Sequence, residues 1–367
     1  MGGGGRAGDD EQRRRDDLRV LAAGHGGVFS VGDAQRLGFT RGRRRALVAA
    51  DEWVVLRPGV LAEARVVELA ARDPRGTHAL NTAAALAAMT LPAAAYAVSA
   101  ASVLRLDLPG PPPDRPRVVL PPSPRAGGRS TNRLAVRRAG LPAAHVTTIA
   151  GVRTAGAART VADMARALAF DEAVVLADSA YRTWGAEICA QLQQMVHHCA
   201  GWPGGAAIEP VLAFADVRCE SGLESRGRLV MHRQGLPPPA TQCWVGESRP
   251  EFRADFGWEE LRTIGEADGR VKYVHPDVLW KQARREERLH DLRFEVVRFD
   301  AAGVAREAEL AGRFRRAFDR GRPGRGRFFP DPGWWSPGGS TPVPYERDGT
   351  PVAWWLHDPD ELRELFE

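Results

Sequence analysis

The chain has 367 residues, 44% of them hydrophobic, a formal net charge of +5 and a sequence pI near 9.4. That length exceeds one simple core, so two or three domains are expected. No apolar run is long and uniform enough to span a bilayer, and the start MGGGGRAGDDEQRRRDD lacks the apolar stretch of a secretory signal. Four cysteines without a CxxC pair suggest neither a zinc site nor a disulfide framework, so a cytoplasmic protein is the expectation. The basic balance favours a polyanionic partner if the charge is clustered.

Residues 1–17 read as a disordered leader, although Leu18, Leu21 and Ala22 fit the inner face of a helix over 11–23. Ser30-Val-Gly-Asp33 has capping-box spacing with Asp in place of Glu, and opens a short helix. After the Gly38-Phe39 turn, Thr40 can cap a helix from Arg41 to Ala50. Trp53 to Leu61 then reads as a two-stranded ribbon turned at Pro58-Gly59. Over residues 18–65 this is the element order of a winged helix-turn-helix. With Leu47 and Ala50 inward, Arg41, Arg44 and Arg45 fall on the outer face of the third helix. Arginine there suits phosphate and guanine through its planar fork, so these three are the DNA-binding candidates. The alternative is a solvated basic face.

Residues 74–200 read as a mixed α+β middle domain. An alanine-rich helix spans His78 to Met89, strands are expected at Val98–Leu104, Val118–Leu120 and Leu134–Val136, and helices at Thr154–Leu168, Asp171–Tyr181 and Ala186–Cys199. The tail, residues 306–367, begins with a helix expected to run from Ala301 to Asp319. It is rich in Pro and Gly but carries Trp334, Trp335, Trp354 and Trp355. Disordered linkers are poor in aromatics, so the tail is expected to pack on the body or on a partner chain.

Residues 211–305 read as helix, three short strands, helix and strand, with a central sheet. The chain's two lysines, Lys272 and Lys281, both lie here. Phe252, Ala254 and Phe256 alternate with Arg253 and Asp255; Ile264, Glu266 and Asp268 share a face of the next strand. A turn centred on Glu259-Glu260 sets Asp255 opposite Ile264 and diagonal to Glu266, so the two acids share a face unless the register slips by one. Carboxylates so placed repel unless a cation lies between them, and magnesium or manganese suits such a site. Glu220 and Glu224, four apart, are expected to share a helix face, and Lys281, Arg284 and Arg288 form a basic stripe suited to DNA phosphate. The plain alternative is a structural sheet with solvated charges.

The order Glu224 in ESGLESR, Asp255 in FRADF and Glu266-Ala-Asp268-Gly269 resembles the restriction-endonuclease-like PD-(D/E)XK superfamily, particularly the family related to very-short-patch-repair endonucleases. The resemblance implies an α/β domain with a central mixed sheet, metal binding by Asp255 and Glu266, and assistance from Glu224. Asp268 stands where the plainest form of the motif has lysine, so Lys272 or Lys281 is the candidate to supply the charge. The segment GGVFSVGDAQRLGFTRGRRRALVAADEWVVLRPGVL is similar to the winged helix of AbiEi-family antitoxins, which implies DNA as a partner and raises a cognate toxin as another. Two principal readings stand: a metal-dependent DNA endonuclease guided by a winged helix, and a non-enzymatic regulator or antitoxin with a degenerate nuclease fold. A protein-interaction scaffold is the third.

Overall fold

The computed structural model describes residues 4–122, 130–185, 187–269, 276–331 and 353–358, without the side chains of residues 4–8 and 276–283. It is a mixed α/β protein that divides into two compact units. Unit 1 comprises Met1–Leu176, Glu187–Pro210 and Pro342–Glu367; unit 2 comprises Ala177–Ala186 and Val211–Thr341. Among the described residues no helix is long and apolar enough to cross a membrane.

Unit 1 begins with α1 (Gly4–Ala23), β1 (Phe29–Ser30), α2 (Val31–Arg36), α3 (Arg41–Ala49), β2 (Trp53–Arg57) and β3 (Val60–Glu63). The expected leader is thus helical from Gly4. Its polar residues have partners that hold it: Glu11 pairs with Arg43, and Arg15 with Glu52 at 2.6 Å. Ser30 and Asp33 form a reciprocal capping box at the start of α2, and the Thr40 hydroxyl accepts from the Arg43 N–H at the start of α3. The three strands lie in the order β1-β3-β2. Behind them Leu18, Phe29, Phe39, Leu47, Trp53 and Leu61 form the core. Trp53 is its centre, with the Phe29 ring 4.8 Å and the Phe39 ring 5.0 Å away.

The chain continues through α4 (Ala64–Ala71), α5 (Pro74–Ala87), β4 (Ala94–Ala95), α6 (Val98–Val103), β5 (Arg117–Leu120), β6 (Ala135–Arg138), β7 (Val146–Ile149), β8 (Val152–Ala155), α7 (Ala157–Ala165), α8 (Phe170–Trp184) and α9 (Glu187–Cys199). The sheet order is β6-β5-β4-β8-β7, with β5 and β6 parallel. The strand expected at Val98–Leu104 is the helix α6. All six of its residues are buried, and a short apolar run buried all round carries no period to separate helix from strand. Residues 18–65, expected as a separate domain, fall in unit 1 together with residues 74–176 and 187–200, whereas Ala177–Ala186, within the expected middle domain, belong to unit 2. The tail contributes to unit 1: Trp354 and Trp355 are buried, and their indoles donate to the carbonyls of Ser102 (3.2 Å) and Gly26 (3.0 Å). Trp334 and Trp335 lie outside the described residues.

The elements that follow are α10 (Ile208–Phe214), α11 (Gly222–Arg233), β9 (Ala240–Gly246), β10 (Phe252–Trp258), β11 (Thr263–Ala267), α12 (Pro276–Asp291), β12 (Glu295–Phe299), α13 (Ala301–Ala305), α14 (Glu307–Arg320) and β13 (Arg327–Phe329). Unit 2 is built on the mixed sheet β12-β11-β10-β9-β13, in which β11 and β12 are parallel and the other pairs antiparallel. One apolar cluster joins Val230 and Met231 of α11, Phe256, Phe299 and Phe314 of α14. A second joins Val245, Ala254 and Ile264 to Leu289 of α12 and Leu292 just beyond it. The helix expected over Ala301–Asp319 breaks at Arg306, whose ψ of 63° leaves the helical region.

Candidate functional site

The acids singled out from sequence meet in unit 2. β10 and β11 pair with Phe256 opposite Gly265 and Trp258 opposite Thr263. Glu259–Arg262 therefore form a four-residue turn, with Arg262 at φ 52°. The register differs by two residues from a turn centred on Glu259-Glu260: Ile264 faces Gly257, not Asp255. An even offset preserves the pleat, and the same register continued by one residue sets Asp255 level with Glu266. The backbone N–H of Ala267, next to Glu266, donates to Asp255 Oδ2 at 2.8 Å.

Asp255 sits at a local fault in the sheet. The β9–β10 ladder pairs Ala254 with Cys243 and Phe256 with Thr241, but the intervening Asp255–Gln242 pair is absent. Gln242 has φ 49°, a left-handed conformation that costs a non-glycine residue on the order of 1 kcal/mol or more. Ala254 packs in the α12-side cluster, whereas Phe256, two residues on, packs in the α14-side cluster. The twist re-aims the side chains opposite each other. Gln242 Nε2 donates to Glu224 Oε2 at 2.8 Å and reaches Asp255 Oδ1 at 3.5 Å.

Glu224 comes from the first turn of α11. Ser221 caps this helix, and Glu224 accepts from the Glu220 N–H (2.9 Å) and the Ser221 hydroxyl (2.7 Å). Glu220 precedes the cap, so it does not share a helical face with Glu224; it pairs instead with Arg253 at 2.7 Å. Burial, and then the charge of Asp255, push the Glu224 carboxyl up to about 7. Burial also raises Glu266, but there Arg285 and Arg298 oppose the rise, while Asp255 and Asp268 add to it. The three carboxylates are thus one electrostatic group, with Asp268 at its edge.

Glu266 is neutralised from within. Arg285 of α12 lies 2.5 Å from Oε1, and Arg298, its register neighbour on β12, donates to Oε2 at 3.1 Å. Arg298 also meets Glu286 at 2.7 Å. Sequence reading missed Gln242, Arg285 and Arg298. For Arg285 a signal existed: with Leu289 and Leu292 it marks i, i+4 and i+7, the stripe that faces the sheet. Gln242 carried none, because a backbone twist is not written in one side chain.

The described residues do not fit a resident magnesium or manganese ion. Both oxygens of Glu266 face guanidinium groups, and Asp255 already accepts a backbone N–H. No group of three or more His, Cys, Asp or Glu side chains among the described residues is placed to hold a metal. Of the basic candidates, Arg288 is taken up by Glu251 (2.8 Å) and Glu247 (3.2 Å), and Arg284 is exposed. Lys272 and the side chain of Lys281 lie outside the described residues.

The second candidate site is α3 in unit 1. Arg41 and Arg45 are exposed and have no hydrogen-bond or ion-pair partner among the described residues. Arg44, expected on the outer face, is half-buried and donates to the Phe39 carbonyl. It closes the turn before α3 by meeting a carbonyl in need of a donor.

No family model matches the chain. Two proteins from Mycobacterium tuberculosis strains, "Uncharacterized protein MT2308" and "Uncharacterized protein Rv2248", are each 31% identical to it over 183 residues. The match covers 49% of this chain and 66% of each relative, just under two thirds of their length.

Proposed function

We propose that the chain is a DNA-binding protein of regulator type. In this reading unit 1 docks on duplex DNA as a winged helix, with Arg41 and Arg45 of α3 presented to the groove and the β2–β3 ribbon as the wing. Unit 2 is a restriction-endonuclease-like fold whose acidic pocket no longer recruits a metal. The observation that carries the reading is the capture of Glu266 between Arg285 and Arg298. A fixed guanidinium pair supplies the positive charge that a hydrolase would draw from an ion. The resemblance of residues 26–61 to the winged helix of AbiEi-family antitoxins agrees with a regulator, and a cognate toxin follows as a partner to seek by co-purification.

The endonuclease reading retains one specific observation: Glu224, Asp255 and Glu266 come together from three different elements, and burial with the charge of Asp255 raises the Glu224 carboxyl to about 7. Fluorescence anisotropy of a labelled duplex, titrated with full-length protein over a salt series, tests the proposal. Log affinity is expected to fall linearly with log salt, and the Arg41→Ala/Arg45→Ala variant to bind about tenfold more weakly. Absence of binding at low salt overturns DNA binding. Binding accompanied by metal-dependent strand breaks overturns the regulator in favour of the endonuclease.

A further inference from the structure

From Arg115 to Ala162 the chain carries nine arginines and no Asp or Glu. The gap is unusual in a protein with 46 acidic residues against 51 basic ones. Arg125 and Arg129 lie outside the described residues. Five of the rest lie along one edge of the unit 1 sheet. Arg117 stands at the start of β5, Arg137 and Arg138 end β6, and Arg115 and Arg133 lie just before those strands. Arg115, Arg117, Arg133 and Arg137 are exposed. Among the described residues β6 is an edge strand, paired only with β5.

This edge is joined to the ribbon. Arg57, the last residue of β2, donates from Nη2 to the Arg133 carbonyl at 2.8 Å. Burial, and then the neighbouring charge of Arg133, lower the Arg57 pKa, which reports cations held close together without a carboxylate to relieve them. Arg115 donates to the Thr131 carbonyl at 3.1 Å, Arg138 to the Pro121 carbonyl at 3.0 Å, and Arg137 lies 6.0 Å from the centre of the Tyr96 ring. Neutral partners orient these groups but leave their charge uncompensated. Among the described residues none of Arg57, Arg115, Arg117, Arg133, Arg137 and Arg138 forms an ion pair. A charged residue or two is enough to guard an edge strand from pairing. Six arginines running from the ribbon tip along the edge, with Asp114 as the one acid adjoining them in sequence, exceed that need.

We propose that the β5–β6 edge is a phosphate-binding surface, continuous with the ribbon, that grips the duplex backbone beside the segment contacted by α3. It rests on the reading of unit 1 as a DNA-binding element. Its contacts are to backbone, so they add affinity and footprint length and no sequence preference.

The test compares full-length wild type, Arg133→Ala/Arg137→Ala and Arg41→Ala/Arg45→Ala by anisotropy over a salt series and by nuclease footprinting. All four side chains are exposed, so thermal melts are expected to coincide. The Arg133/Arg137 variant should bind about tenfold more weakly on every sequence, with a salt slope shallower by roughly two and a footprint shortened on one flank. The Arg41/Arg45 variant should lose discrimination between sequences instead. Should wild type bind duplex while the Arg133/Arg137 variant keeps its slope and footprint, the edge surface is refuted and the α3 reading stands. Should wild type bind no duplex, both fall. Tighter binding to anionic vesicles or to single-stranded RNA than to duplex, lost in the Arg133/Arg137 variant, also refutes the assignment to DNA.

Discussion

Arginine has opposite roles in two regions of the molecule, the α3 and β5–β6 surface of unit 1 and the acid-bearing sheet of unit 2. Along α3, apart from Arg43, which pairs with Glu11, and along the β5–β6 edge of unit 1, the guanidinium groups lean on carbonyls and an aromatic ring or have no partner among the described residues. Around the acids of unit 2 they are consumed: Arg228 by Asp178, Arg253 by Glu220, Arg285 and Arg298 by Glu266, Arg288 by Glu251 and Glu247. Composition alone hides this division. A basic pI does not locate a binding surface; the proposed surface rests on the arginines that form no ion pair among the described residues.

The sharpest way to break the comparison is to remove a consumed arginine. Arg228 and Asp178 are buried and meet at 2.9 Å. Arg228→Leu leaves Asp178 buried without its ion-pair partner, so unit 2 should lose about 3–5 kcal/mol, read by denaturant melts and by hydrogen exchange of unit 2 peptides. A loss confined to about 1 kcal/mol would mean the pair behaves like a surface one.

The next effect is pH. Glu224 titrates at about 7 in the folded chain against an ordinary 4.5. The native state therefore holds a proton that the unfolded chain has released. Unit 2 stability falls as pH rises through that window and stays low above it, by on the order of 2–3 kcal/mol. His78 of unit 1 has the reverse sign. It is buried against Ser99 at 2.6 Å and burial depresses it to about 4 from 6.5. Its contribution is complete above pH 6.5 and is lost as pH falls through the folded value. Hydrogen exchange at pH 5 and pH 8 should show the units moving in opposite directions, and Glu224→Gln should flatten the response of unit 2. A common direction, or no change in Glu224→Gln, contradicts the account.

Smaller still is the functional contrast. Arg41→Ala/Arg45→Ala should weaken duplex binding about tenfold, roughly 1.4 kcal/mol, whereas Arg288→Ala should leave it unchanged, because Arg288 already serves Glu251 and Glu247. Equal losses in the two variants would erase the distinction between units. The smallest expected effect is at Arg306–Glu309, an exposed pair at 2.9 Å. Its removal should be lost in the scatter of repeat melts.

What could be read from sequence follows the range of the interactions involved. The Ser30–Asp33 box, the Thr40 cap and the ribbon around Pro58-Gly59 are local, and the structure places them where spacing did. Asp255 and Glu266 still meet despite a shifted turn, because the shift sets them level and Asp255 accepts from the Ala267 N–H. The rest depended on distant partners. Arg285 acquires meaning from Glu266, and Arg44 from the Phe39 carbonyl. β13 is a three-residue strand recruited to the sheet edge beside β9 by pairing with Gly246, Val245 and Trp244. The fault at Gln242 arises in the ladder between two strands, and no single residue announces it.

Incubation of full-length protein with supercoiled plasmid and manganese, followed by electrophoresis before and after protease digestion, bears on the centre of this account in one measurement. The plasmid should migrate retarded with protein bound and return wholly supercoiled once the protein is digested. Nicked or linear plasmid after digestion, absent with Asp255→Asn, would show that the acidic cluster recruits a metal despite its arginines and cuts DNA.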